Sequence, residues 1–289
     1  MAIRSADAEL VERRSILPGR WLQTYAAPWL ASGAVRAGQY VCIRADEDVD
    51  PPTLVPLPMT TADRVTGQVS VHLQVTGPET ARLARTRPGE RVAMSGPWGR
   101  PFEVAPRARH LLLLASDWGI AGLRALIDQA LAADRLVTLL LAAPSAAEVY
   151  PSSLLPPEVE YVVATRDGSL GQTGDLTDLL PAYERWADQA FASGPRHVLE
   201  TLAALAAGRA ARLGVARLGR KGGRSAGAAR GTLAGRRRAW LQVLPQQTVA
   251  CATGTCLRCV VDGVDGPLRV CRDGPVFAAD EIAWDEPST

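Results

Sequence analysis

The chain has 289 residues, of which 47% are hydrophobic and 21% charged, so a sizeable core and two or three modest domains are available to it. Its formal net charge of +2 is too small to imply a nucleic-acid partner. No apolar run reaches the length of a membrane span, and the N-terminal "MAIRSADAELVERRS" has no apolar signal core, so a cytoplasmic protein without membrane contact is expected.

Residues 1–104 read as β-rich. "YVCIRA" and "VSVHLQV" have strand composition, and "RPGERVAMSGPWGRPFEV" reads as strand, turn and loop. The rhythm then changes. "ARHLLLLAS" is a continuous apolar strand, followed by the helical periodicity of "IAGLRALIDQALAAD". "LVTLLLAAP", "VEYVVATR" and "QAFASGP" are further buried strands, so strands alternate with helices as in a parallel sheet. The expected order is a small barrel over 1–104 and an α/β nucleotide-binding unit over 105–207.

Residues 208–238 are dense in Gly and Arg and contain no acidic residue. Beyond a first turn or two that could finish a helix, they read as a flexible basic insertion. A solvated loop, a docking arm for an acidic partner and a weak nucleic-acid contact are the readings open to it. "AWLQVLPQ" then reads as a strand leading into residues 239–289.

That last segment holds four of the five cysteines, spaced Cys251-x4-Cys256-x2-Cys259-x11-Cys271. Five cysteines in a chain of this kind argue for metal or redox chemistry rather than a disulfide framework. The first three match the plant-type [2Fe-2S] spacing, with a fourth further on. A short loop can supply three thiolates, and a hairpin through the Asp-Gly turns of "VVDGVDGPLRV" can return Cys271. Gly254 would let backbone N–H groups approach the sulfur. Structural zinc usually draws on two C-x2-C knuckles and finds one here; redox-inert core cysteines are the other alternative. Cys42 reads as a small core residue. His72, His110 and His197 are scattered, and His72 reads as a core or barrel residue.

The tail "VACATGTCLRCVV…GPLRVCRDGPVF" resembles the C-terminal [2Fe-2S] segment of the electron-transfer subunit of type B dihydroorotate dehydrogenase, within the ferredoxin–NADP reductase superfamily. "AGQYV" (37–41), "PGERVAMSGPWGRPF" (88–102), "ATRDGSLGQTGDLTDLL" (164–180) and "ADQAFASGP" (187–195) resemble further landmarks of that family, in the same order. The resemblance implies an α+β multidomain chain: an FAD-type antiparallel β-barrel, an NAD-type α/β parallel-sheet domain and a small [2Fe-2S] domain. It implies Cys251, Cys256, Cys259 and Cys271 as cluster ligands. Pro58, Thr60, Gly77 and Thr80 would be flavin contacts, and Gly119, Asp167, Gly194 and Pro195 would line the nicotinamide side. NADH would reduce FAD, and electrons would pass through the cluster to the FMN of a separate catalytic subunit, within a heterotetramer.

The cofactor motifs depart from the family pattern. In "PLPMT" (56–60) Leu57 stands where relatives carry an arginine for the FAD pyrophosphate, and in "GPET" (77–80) Glu79 replaces a glycine. In "ASDWGIAGL" (115–123) Ser116 and Asp117 replace a glycine pair and Trp118 follows. A diverged but working loop and a site that no longer binds NADH well both remain open. So does a rival reading of the whole chain: a non-catalytic, cluster-bearing relay or scaffold that has lost FAD or NADH. A diaphorase or sulfide dehydrogenase subunit of the same architecture is a third.

Overall fold

The computed structural model describes residues 3–33, 35–45, 53–212 and 239–284. Six strands close an antiparallel barrel: β1 (Arg4–Leu17), β2 (Arg20–Ala26), β3 (Tyr40–Arg44), β4 (Leu54–Asp63), β5 (Gln68–Gln74) and β6 (Arg91–Trp98), in the order β1-β2-β5-β4-β3-β6. Two short helices, α1 (Pro28–Ala31) and α2 (Pro78–Leu83), decorate it.

Strand alternation decides what the barrel buries. Val69, Val71 and Leu73 of β5 join Val41, Ile43, Val55, Leu57, Met59 and Met94 in one apolar core. The intervening residues face outward. Tyr40 is paired with Pro58 and Cys42 with Pro56, on the face opposite the Val41–Leu57 pair. Both prolines lie where β4 has only β3 as a partner, because its ladder to β5 begins at Met59. A proline there removes no bond on the β5 side.

The second layer begins with β7 (His110–Ser116), α3 (Ile120–Leu131), β8 (Leu136–Ala143), β9 (Glu160–Thr165) and β10 (Gln172–Thr173). It continues through α4 (Leu176–Tyr183), β11 (Gln189–Gly194) and α5 (Arg196–Arg212) to β12 (Leu241–Pro245). The seven-stranded sheet runs β10-β9-β8-β7-β11-β12-β15, parallel except for the edge strand β15 (Phe277–Ala278). Between β12 and β15 a hairpin, β13 (Val260–Val261) with β14 (Leu268–Arg269), leads into the helical turn α6 (Val270–Asp273).

The expected strands and helix over 108–195 are all present. The C-terminal segment is built into this sheet, because β12 and β15 extend it at one edge. Residues 208–212 of the basic stretch finish α5; residues 213–238 lie outside the described residues. No helix among the described residues is long and apolar enough to cross a membrane.

Chain order in the sheet reverses between β7 and β11, the place where open α/β sheets present their ligand crevice. It brings Ser116 and Gly119 against Ser193 and Gly194. A Cβ on Gly119 would sit 2.0 Å from the Ser193 carbonyl oxygen, so only glycine lets α3 start this close to β11.

Candidate functional site

The cysteine loop is wound tightly by left-handed residues at Ala252 (φ 56), Gly254 (φ 83) and Leu257 (φ 56). The β13–β14 hairpin then folds Cys271 back on Cys259. The Cys271 N–H donates to the Cys259 sulfur at 3.4 Å, and Val270 N–H to the Cys259 carbonyl at 2.9 Å. The Gly254 N–H also points at the Cys271 sulfur. On the other side, the Cys256 N–H and thiol and the Thr253 hydroxyl and N–H bond to Cys251.

Hydrogen bonds thus link Cys251 with Cys256 and Cys259 with Cys271, and the charge of Cys251 also reaches Cys271. Among the described residues no three His, Cys, Asp or Glu side chains converge on a single ion. A two-iron cluster asks for two thiolates per iron, with N–H donors turned toward sulfur, and this donor set fits it.

Burial alone would raise the Cys251 thiol, yet the hydrogen bonds onto its sulfur outweigh that and bring it down to about 5. Cys271 is pushed up to about 12, by burial first and then by Cys259 and Cys251. Cys42 belongs to the same buried cluster as Cys259 and Cys271, and burial followed by the charges of Cys271 and Cys251 pushes it to about 12. It is a core residue, as its strand position suggested, but the core it joins is that of the cysteine segment. Tyr40 clamps the barrel to this segment, its hydroxyl donating to the Cys271 carbonyl at 3.2 Å. Arg36, Trp98, Arg100, Thr253, Cys271 and Arg272 contribute to the lining of a neighbouring cleft of about 490 Å³.

The flavin-type positions lie on β4 and at the start of α2. Leu57 points into the barrel core, so this position offers nothing to a phosphate on the outer face. Pro58 and Thr60 are near the outer face; Thr60 is 2% exposed, and its hydroxyl has no hydrogen-bond partner. At α2 the Thr80 hydroxyl accepts from the N–H groups of Thr76 (2.8 Å) and Gly77 (3.0 Å), and the Glu79 carboxylate folds against Gly77.

Gly119, Gly194 and Pro195 come together at the switch point, with Gly194 packed against Ser116. Asp167 sits on the adjacent turn after β9, where hydrogen bonds from the Ser169 hydroxyl (2.6 Å) and N–H (2.9 Å) lower its pKa. Asp117 holds a left-handed conformation (φ 52) and pairs with Arg166 at 2.9 Å, which also binds Asp175 at 3.2 Å. Trp118 turns onto the barrel. It packs on His72 (centroids 5.1 Å apart) and Tyr150 (6.2 Å), and the Arg20 guanidinium lies 5.1 Å from the Trp118 ring. His72, Tyr150, Arg166 and Arg20 were not singled out as site residues by sequence; they come from four separate stretches, and no local spacing links them.

Trp118, Tyr150 and α3 pack on the outer face of β4 and β5, the face that carries His72.

Residues 246–283 match the family model for the iron–sulfur cluster binding domain of dihydroorotate dehydrogenase B. The electron-transfer subunit of dihydroorotate dehydrogenase B (NAD(+)) from Desulforamulus reducens is 26% identical over 286 residues, covering 96% of this chain and 98% of that subunit. Its counterpart from Bacillus caldolyticus is 28% identical over 285 residues, covering 96% of each. Among solved structures, the NADH-dependent reduced ferredoxin-NADP oxidoreductase described for flavin-based electron bifurcation superposes with a TM-score of 0.74. It has 22% identity and covers 96% of this chain and 90% of its own. The expectations of an iron–sulfur cluster, a flavin and a nicotinamide donor accord with these relatives. This chain is thus a homologue of the electron-transfer subunits of dihydroorotate dehydrogenase B, built on the ferredoxin-reductase fold.

Proposed function

We propose that the chain relays single electrons through a [2Fe-2S] cluster held by Cys251, Cys256, Cys259 and Cys271. The convergence of these thiols in one short segment, with the N–H groups of Cys256, Gly254 and Cys271 turned toward sulfur, is the observation that carries this reading. Such a cluster takes up and releases one electron at a time. The protein's part is to fix the thiolates, turn N–H dipoles toward the sulfur and keep bulk water from Cys259 and Cys271, both buried.

The electron source is NADH through FAD, and the acceptor is the FMN of a dihydroorotate dehydrogenase catalytic subunit in a cytoplasmic heterotetramer. The names of the relatives, electron-transfer subunits of dihydroorotate dehydrogenase B (NAD(+)), support the nicotinamide donor and the catalytic partner. The cleft beside the cysteine loop, with Arg36, Arg100 and Arg272 in its lining, supports docking of an acidic partner surface there. The domain reading is a barrel over 1–104, a nucleotide-type unit over 105–207 and a cluster segment over 239–289. The covered face of β4 and β5 favours a second reading, a cluster-bearing relay fed by another donor.

Purification without air, with iron, sulfide and flavin quantified per chain, tests the proposal. Two irons and two sulfides per chain are expected. Replacing any of the four cysteines by Ser should bleach the visible absorbance and the reduced-state EPR signal. Loss of the signal in Cys42→Ser with retention in Cys271→Ser would overturn the ligand set.

A further inference from the structure

The 116–119 loop does more than depart from a glycine-rich pattern. Its Trp118 is 7% exposed and covers His72, itself 1% exposed on the outer face of the barrel. Tyr150 closes the other side, with its hydroxyl 3.3 Å from His72 Nε2. The covered face is not chemically content. Both His72 Nδ1 and the Thr60 hydroxyl are buried without a partner, whereas buried polar groups are normally satisfied. An orphaned ring nitrogen under an aromatic lid, with an orphaned hydroxyl on the neighbouring strand, describes a surface suited to a flat ligand edged with donors and acceptors.

The lid is held from both ends. Asp117 is fixed in its left-handed conformation by Arg166, which Asp175 also engages. On the far side, Arg20 lies over the Trp118 ring and is bonded to Glu148 at 3.1 Å. Asp117 also sets its carboxylate beside the start of α3, where a nucleotide phosphate would have to compete with it for Arg166.

We propose that Trp118 is a positioning residue that plugs the barrel face: it covers the His72 surface against which a flavin ring would lie, and flavin reaches Thr60 only when the Asp117–Arg166 contact opens and Trp118 swings out. The proposal rests on the reading of the chain as a flavin-fed relay. Affinity is then reduced by the fraction of chains that are open, so a plug closed in 99% of chains weakens flavin about 100-fold.

The test uses the full chain with its cluster, stripped of flavin, and FAD as the probe. Flavin fluorescence is followed at equilibrium and after rapid mixing, for the unaltered protein, Trp118→Ala and Arg166→Gln. Unaltered cluster absorbance and melting temperature show that each variant is folded. The unaltered protein should bind with a rate that levels off as FAD is raised, set by opening. Trp118→Ala should bind at least tenfold more tightly, with a rate linear in FAD, and Arg166→Gln should raise the plateau rate. If the unaltered protein binds with a linear rate and Trp118→Ala changes neither rate nor affinity, there is no plug. If Trp118→Ala binds no FAD at all, the proposal also fails. In either case the iron and sulfide content judges the relay separately.

Discussion

Replacing Leu57 by arginine would put a guanidinium inside the barrel. Leu57 is 4% exposed and shares its core with Val41, Val55 and Met59. Losing a buried leucine costs about 2–5 kcal/mol. An arginine adds an unpaired charge among apolar side chains, which costs several kcal/mol more. In a chain of this size each kcal/mol lowers the melting temperature by about 2–4 °C. Leu57→Arg should therefore melt at least roughly 10 °C lower, or fail to accumulate as soluble protein. Leu57→Ala, the gentler variant, should lose about 4–20 °C by the same arithmetic. Thermal melts followed by circular dichroism decide it. A Leu57→Arg protein that melts within about 2 °C of the unaltered one and holds FAD more tightly would place residue 57 on the outer face, and the inside-outside assignment of β4 would be wrong.

Gly119→Ala should pry α3 from β11, because the new methyl would lie 2.0 Å from the Ser193 carbonyl oxygen. A drop in melting temperature of several degrees is expected, and an unchanged melt would show that the loop simply slides away. His72 gives a pH signature. Burial first, and the Arg124 charge second, lower it to about 3 from 6.5, so the folded state keeps the ring neutral while the unfolded chain takes a proton below 6.5. Its contribution is complete above pH 6.5 and is lost as pH falls toward 3, at no more than about 1.4 kcal/mol per pH unit. Urea melts at pH 7, 6 and 5 should show this slope, and His72→Phe should flatten it; equal slopes in the two proteins would remove His72 as the cause.

Much of the fold was legible because its signals are local. Continuous apolar runs such as "HLLLLAS" have nowhere to go but a sheet covered on both sides, and the four-cysteine spacing describes a loop and a hairpin within one short segment. What escaped depends on contacts between distant residues. The face taken by Leu57 is set by the register of β4 against β3, in which a shift of one residue reverses every side chain. Trp118 reads as bulk in a glycine loop, and only the docking of the sheet on the barrel shows that it lands on His72. Cys42 looked like any small residue in a strand, and its nearness to the other thiols depends on Tyr40 and the C-terminal segment closing over the same face.

The cysteine segment leaves the sheet through β12 and returns to it through β15, and these two strands pair with each other. Further stitches run from Ala283 N–H to the Asp262 carbonyl at 2.8 Å and from Arg196 to the Ala283 carbonyl at 3.1 Å. The thiols thus ride on a closed buckle rather than on a pendulum at the end of a tether. A redox centre carried this way keeps one distance to every group on the sheet, so internal transfer needs no diffusive search. Solvent viscosity should leave its rate untouched, whereas encounter with a separate protein would slow in proportion.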